Sequence, residues 1–177
     1  AKAQNATAIG SRAKAIGADA TAIGGLASAT SEGAQALGYQ SNASGYQSNA
    51  IGYQSNASGY QSNAIGAQAA ASGYQSNAIG TQAAASGINS NAIGAQAAAS
   101  GIASNAIGWN AGATAQDATA IGSNAQAYSR SGIAMGTNAE AGNLGSEKIL
   151  VQAVAIGENA KAKAQSKDVA LGADSET

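Results

Sequence analysis

The sequence is defined first by what is missing. It has no cysteine, proline, histidine or phenylalanine, a single tryptophan and a single methionine, and aromatics amount to 4% of 177 residues. Without cysteine there is no disulfide framework, and without cysteine or histidine the usual ligands of zinc and other transition metals are gone. The lack of histidine also removes the commonest general base, so the abundant serines have no partner to activate them beyond a few distant lysines. Zero cysteine suits a secreted or surface protein, although it suits many cytoplasmic ones as well. Charge is equally scarce. The formal net charge is −1, and no Lys, Arg, Asp or Glu occurs between Gly33 and Gln116. No basic stripe is available for nucleic acid, and the central stretch offers no carboxylate pair for cutting polysaccharide. Neither an Asp-rich calcium loop nor an apolar run of membrane-spanning length is present. No catalytic residue, metal site or cofactor is assigned, and the chain is expected not to be an enzyme.

What is present is periodic. An apolar residue followed by glycine recurs at Ile9, Ile23, Leu37, Ile51, Ile65, Ile79, Ile93, Ile107, Ile121 and Met135, always 14 residues apart. Midway lies a second glycine column, Ser44-Gly45, Ser58-Gly59, Ser72-Gly73, Ser86-Gly87 and Ser100-Gly101, which divides each repeat into two similar heptads. Glycine every seventh residue costs about 1 kcal/mol each inside a helix, and helical apolar spacing is absent. Two short strands and two corners per repeat describe an all-β coil whose turns stack through parallel backbone hydrogen bonds, about 4.8 Å apart, giving about twelve turns over roughly 60 Å. The absence of proline agrees, because proline cannot donate to a ladder. Strand alternation puts Asn49 and Ile51 on one face and Ala50 on the other. The isoleucines are expected to point inward, opposite Ser44, Ser58, Ser72, Ser86 and Ser100. One isoleucine per turn makes a thin core, so several coils are expected to associate along their length.

The run Ser62 to Gly73, Ser-Asn-Ala-Ile-Gly followed by Ala-Gln-Ala-Ala-Ala-Ser-Gly, resembles the head repeat of YadA-like trimeric autotransporter adhesins, whose pattern is N-S-V-A-I-G-x-x-S-x-A-x-G. The resemblance spans nearly the whole chain. It implies a left-handed parallel β-roll with two short strands per turn, assembled as a parallel homotrimer that attaches bacteria to host cells or to an extracellular matrix protein such as collagen, fibronectin or laminin. The implied location is the bacterial surface, with outer-membrane anchoring through a C-terminal anchor not contained in this sequence. Residues 1–177 are taken as one head domain, a fragment of a mature protein that nears a neck at 168–177. One departure concerns the column two residues before Ile, where the family has Val. Here it holds Thr7 and Thr21, then Asn49, Asn63, Asn77, Asn91 and Asn105, and later Ile133, Val154 and Val169. Stacked amides can bond along the axis, so this column is a candidate ladder.

Large side chains follow the corner glycines in two columns. One is Tyr46, Tyr60, Tyr74, Ile88 and Ile102, an unbroken ridge; the other holds Tyr39 and Tyr53, then smaller residues, then Trp109. These eight are the ligand-binding candidates, because tyrosine gives large contact area at small entropy cost. Corner packing or a subunit contact would produce the same columns. Gln40, Gln47, Gln54, Gln61 and Gln75 form matching amide columns. From Met135 to Ile156 the spacing is 21 residues, which predicts a loop leaving the coil around 143–148 in preference to a half-turn that would exchange the sheets. Lys161, Lys163 and Lys167 with Glu158, Asp168, Asp174 and Glu176 give the far end mixed charge. Besides adhesion, a structural spacer or an ice-binding solenoid would suit such regularity, though the latter calls for threonine columns that are sparse here.

Overall fold

A computed structural model describes residues 3–143, 151–163 and 165–177. Among them the chain forms a parallel β-solenoid of about eleven turns with no helix. Three-residue strands, from Thr7–Ile9 to Val169–Leu171, build a 12-stranded sheet, and two-residue strands, from Lys14–Ala15 to Lys161–Ala162, build an 11-stranded one. Each strand pairs with its equivalent one repeat away, as in Asn49↔Asn63, Ala50↔Ala64 and Ile51↔Ile65. The ladder runs through the corners too, with Gly66 N donating to the Ile51 carbonyl at 2.8 Å and Gln54 N to that of Tyr39 at 2.9 Å.

The faces are the reverse of the expected ones. The parity of the alternation holds, but Ala50 is fully buried while Ile51 is 38% exposed. The same holds along both sheets, where every middle residue of the long strands and every second residue of the short ones is alanine. Two sheets joined by corners this tight leave space for little beyond a Cβ between them, so the interior is a stack of alanines and the isoleucines are turned outward. Ser44 and Ser58 likewise face out. The buried serines are instead those that close the corners, such as Ser62 and Ser76, each donating its hydroxyl to the carbonyl three residues back at 2.8 Å.

Each corner has a residue with positive φ every seven positions, most often a glutamine or asparagine: Gln40, Gln47, Gln54, Gln61, Gln68 and Gln75 all lie between 50° and 58°. For a side-chain-bearing residue this conformation costs about 1–2 kcal/mol. Axial bonding offsets it. Gln61 Nε2 donates to Gln47 Oε1 at 3.0 Å and Gln75 Nε2 to Gln61 Oε1 at 2.9 Å, while Gln54 bonds Gln40 at 2.8 Å. The two glycine columns are required for different reasons. Gly52 has φ +134°, a region closed to other residues, whereas a Cβ on Gly87 would lie 2.0 Å from the Gly101 carbonyl oxygen of the next turn.

Across the 21-residue interval, Met135 pairs with Ile156 and Glu140 with Lys161, so both sheets continue in their own columns. The predicted loop at 143–148 falls almost entirely on residues 144–150, outside the described residues. A smaller irregularity went unnoticed in the sequence: Ile156 pairs with Leu171, one residue beyond the regular interval.

Candidate functional site

With the interior closed by alanine, what the molecule can do lies on two outer faces and two edges. The second corner of each turn projects the first ridge. Tyr46 and Tyr60 stack with ring centroids 5.1 Å apart and planes 14° from parallel, and Tyr60 and Tyr74 follow at 5.0 Å and 4°. Ile88 and Ile102 extend the ridge, and all but the half-buried Tyr46 are exposed. The first corner, on the opposite edge, holds Tyr39 and Tyr53, stacked at 5.9 Å, and Trp109. Trp109 stands four turns beyond Tyr53, roughly 19 Å along the axis. The eight candidates are therefore five on one edge and three on the other, and no ligand small enough to sit on one edge touches both sets.

Stacking turns the tyrosine faces toward one another, so the ridge presents ring edges and hydroxyls to solvent. Gln47 Nε2 lies 3.4 Å from the Tyr46 hydroxyl, and the glutamine ladder runs beside the rings. Charge plays no part along this stretch, since the span from Gly33 to Gln116 has none.

The outer face of the larger sheet is the feature that sequence reasoning placed inside. The Ile columns lie next to the asparagine column, whose amides form an axial ladder: Asn49 Nδ2 donates to Asn63 Oδ1 at 2.7 Å, and Asn63 to Asn77, Asn77 to Asn91 and Asn91 to Asn105 follow at 2.8 to 2.9 Å. Each amide keeps one N–H free. A signal for the correct assignment was available in the repeats themselves. The middle residue is alanine in all twelve long strands, whereas its neighbours vary among Ile, Leu and Met on one side and among Thr, Gln, Asn, Ile and Val on the other. A position held to one small residue while its neighbours vary is the enclosed one.

The smaller sheet shows a flatter face. Asn42 and Asn56 are followed along their column by Ala70, Ala84 and Ala98, beside Ser44, Ser58, Ser72, Ser86 and Ser100. Near the C-terminal end this face becomes charged, with Lys163 against Glu140. Tyr128 is half-buried there. Its phenol is held above the ordinary tyrosine range, first by burial and second by the nearby Glu140 carboxylate. Arg130 bridges to Val151, and these two with Ser131 and Gln152 line an open depression. No group of three or more acidic side chains among the described residues is placed to hold a metal ion, and none of the described helices, there being none, crosses a membrane.

The model of the YadA head domain repeat matches residues 1–27, 29–55, 43–69, 57–83, 71–97, 85–111, 113–141 and 151–175, nearly the full length. The chain belongs to the YadA head repeat family. Among solved structures it is similar to one described as the collagen-binding domain of the Yersinia adhesin YadA, at 21% identity and a TM-score of 0.46, covering 95% of this chain and 80% of that one. No curated protein matches the chain significantly. As a YadA-like head, it carries the family's repeat along nearly its whole length, with asparagine two residues before isoleucine through five of its turns.

Proposed function

We propose that this YadA-like head is the adhesive part of a bacterial surface protein, working as a left-handed, parallel homotrimer that binds an extended matrix protein. The trimer is supported by the outward isoleucines. Every turn from Ile9 to Leu171 presents a partly exposed aliphatic side chain on the same face, a continuous apolar strip of the kind that marks an interaction surface. Three such strips turned toward a common axis cover one another and leave both edges and the smaller sheet outside. Anchoring in the outer membrane through a stalk belongs to the same reading.

Binding rests on one observation: the exposed Tyr, Ile and Trp columns coincide with the charge-free span. A ligand held there uses ring edges, hydroxyls, amides and apolar contacts, repeated turn after turn on three chains. Repetition converts weak contacts into avidity when the partner is itself long and repetitive. Collagen, fibronectin and laminin are the candidates that the family brings. The test is binding of the chain to each of these, immobilised, at low and moderate salt, with whole 14-residue units removed between Tyr39 and Ile107. Affinity should fall progressively with each deletion and change little with salt. Binding that survives the deletions, or collapses with moderate salt, overturns the proposal and moves the contact to the charged end.

A further inference from the structure

The strand asparagines of this rod divide into two classes that the fold keeps apart. On the larger sheet Asn49, Asn63, Asn77, Asn91 and Asn105 are each followed by Ala-Ile. On the smaller sheet the two strand asparagines, Asn42 and Asn56, are each followed by Ala-Ser. Asn-x-Ser/Thr is the acceptor sequence for attachment of a sugar to the asparagine amide. We infer that Asn42 and Asn56 are glycosylation sites, taking a sugar from a diphosphate-activated donor.

Alternation along a strand puts residues i and i+2 on one face, so Asn42 stands beside Ser44 and Asn56 beside Ser58, both pairs on the outer surface. Asn56 and Ser58 are exposed, and Asn42 and Ser44 are half-buried. The next three turns contribute only Ala70, Ala84, Ala98 and serines to this face, so a sugar ring laid along it meets no bulky neighbour there. The ladder tolerates the modification. Asn42 Nδ2 donates one N–H to Asn56 Oδ1 at 3.0 Å, and its second N–H is the one that is replaced. A third sequon, Asn5-Ala6-Thr7, is set differently: Asn5 occupies a corner with φ 53° and bonds Asp19 at 3.0 Å.

In the transfer, catalysed by a separate glycosyltransferase, the asparagine amide nitrogen attacks the anomeric carbon of a nucleoside-diphosphate sugar. A C–N bond forms, the C–O bond to the diphosphate breaks, the nucleoside diphosphate leaves with that electron pair, and the amide gives up one proton. The products are the N-linked sugar and the free nucleoside diphosphate.

The repeat supplies its own control. Cleavage after Tyr39, Tyr46, Tyr53 and Tyr60 by chymotrypsin releases Gln40 to Tyr46 and Gln54 to Tyr60, both Gln-Ser-Asn-Ala-Ser-Gly-Tyr, together with Gln47 to Tyr53, Gln-Ser-Asn-Ala-Ile-Gly-Tyr. Mass spectrometry of these peptides, from the protein isolated from the cells that make it, should find whole-sugar increments on asparagine in the first sequence and none in the second. Ser44→Ala with Ser58→Ala should abolish the increments while leaving the circular dichroism of the rod unchanged. Bare peptides of both kinds, equal modification of both, sugar on serine in place of asparagine, or sugar that persists in the double alanine variant would each overturn the assignment.

Discussion

The middle of the rod and its C-terminal third share one backbone and differ in what they hang on it. From Asn49 to Asn105 the column beside the isoleucines is an amide ladder, whereas at Ile133, Val154 and Val169 it is aliphatic. Strand pairing is indifferent to the change: Thr119↔Ile133 and Ile133↔Val154 continue the register of Asn91↔Asn105. On the strands the enclosed position, by contrast, does not change, and alanine recurs on every one. The coil is thus specified by its enclosed alanines, its corner glycines and its backbone ladder, and the outer columns are free to be adapted to whatever covers them.

If that division is right, the largest effect should come from enlarging an enclosed alanine. Ala78→Leu should lower stability by at least about 3 kcal/mol, the upper part of the overpacking range, because neighbouring turns leave it nowhere to go. Ile79→Ser, one residue along, should change the stability of the single chain by only about 1 kcal/mol, yet weaken the proposed trimer, read as a lower mass by light scattering. Thermal melts followed by circular dichroism measure the first comparison. Equal shifts for the two variants would erase the distinction between enclosed and outer columns.

Reciprocal exchanges between the two regions sharpen it further. Asn77→Val removes two ladder bonds, each worth about 1 kcal/mol net, and gains apolar burial of similar size if the face is covered, so the melting temperature should move little. Val154→Asn puts an amide between Ile133 and Val169, neither of which can bond it, and should cost about 1–3 kcal/mol in the assembled protein. A larger loss for Asn77→Val than for Val154→Asn would mean that the ladder stabilises the central turns and is more than an accommodation to polar side chains.

The sequence made the period, the two strands per turn, the parallel stacking and the continuity across the 21-residue interval legible, because each follows from spacing and from glycine's particular tolerances. It misled on which face is enclosed. Hydrophobicity alone favours putting Ile51 inside and Ala50 outside, and only the width of the interior, a property of corners four and five residues long, reverses that choice. The positive-φ column was also missed, since Gln40, Gln47 and Gln54 are unusual residues for it and their axial bonds exist only once the turns are stacked. Of the eight candidate site residues, the two columns were legible in the 14-residue spacing, whereas the half-burial of Tyr46 was not. Their separation onto opposite edges follows from which corner each glycine opens, and becomes visible only when the corners are built.

The smallest effect concerns the charged C-terminal third and has no counterpart in the middle of the rod. Tyr128 is half-buried on the smaller sheet, and its phenol is held above the ordinary value near 10 by burial first and by Glu140 second. Folding therefore favours the protonated form. Below the ordinary value both the folded and unfolded chains keep the proton, and this residue leaves stability independent of pH. As pH rises from the ordinary value to the raised one, the unfolded chain releases its proton while the folded chain retains it, so stability falls through that window and levels off above the folded value. Melting temperatures of the parent protein and of Tyr128→Phe, compared from about pH 9 upward, should run in parallel until the ordinary tyrosine value and then diverge, with the parent falling faster. Glu140→Gln should shrink the divergence without removing it, because burial is the larger cause, and it also breaks the contact with Lys163 at every pH. Curves for the parent and Tyr128→Phe that stay parallel throughout would show that the phenol is as well solvated in the folded rod as in the unfolded chain.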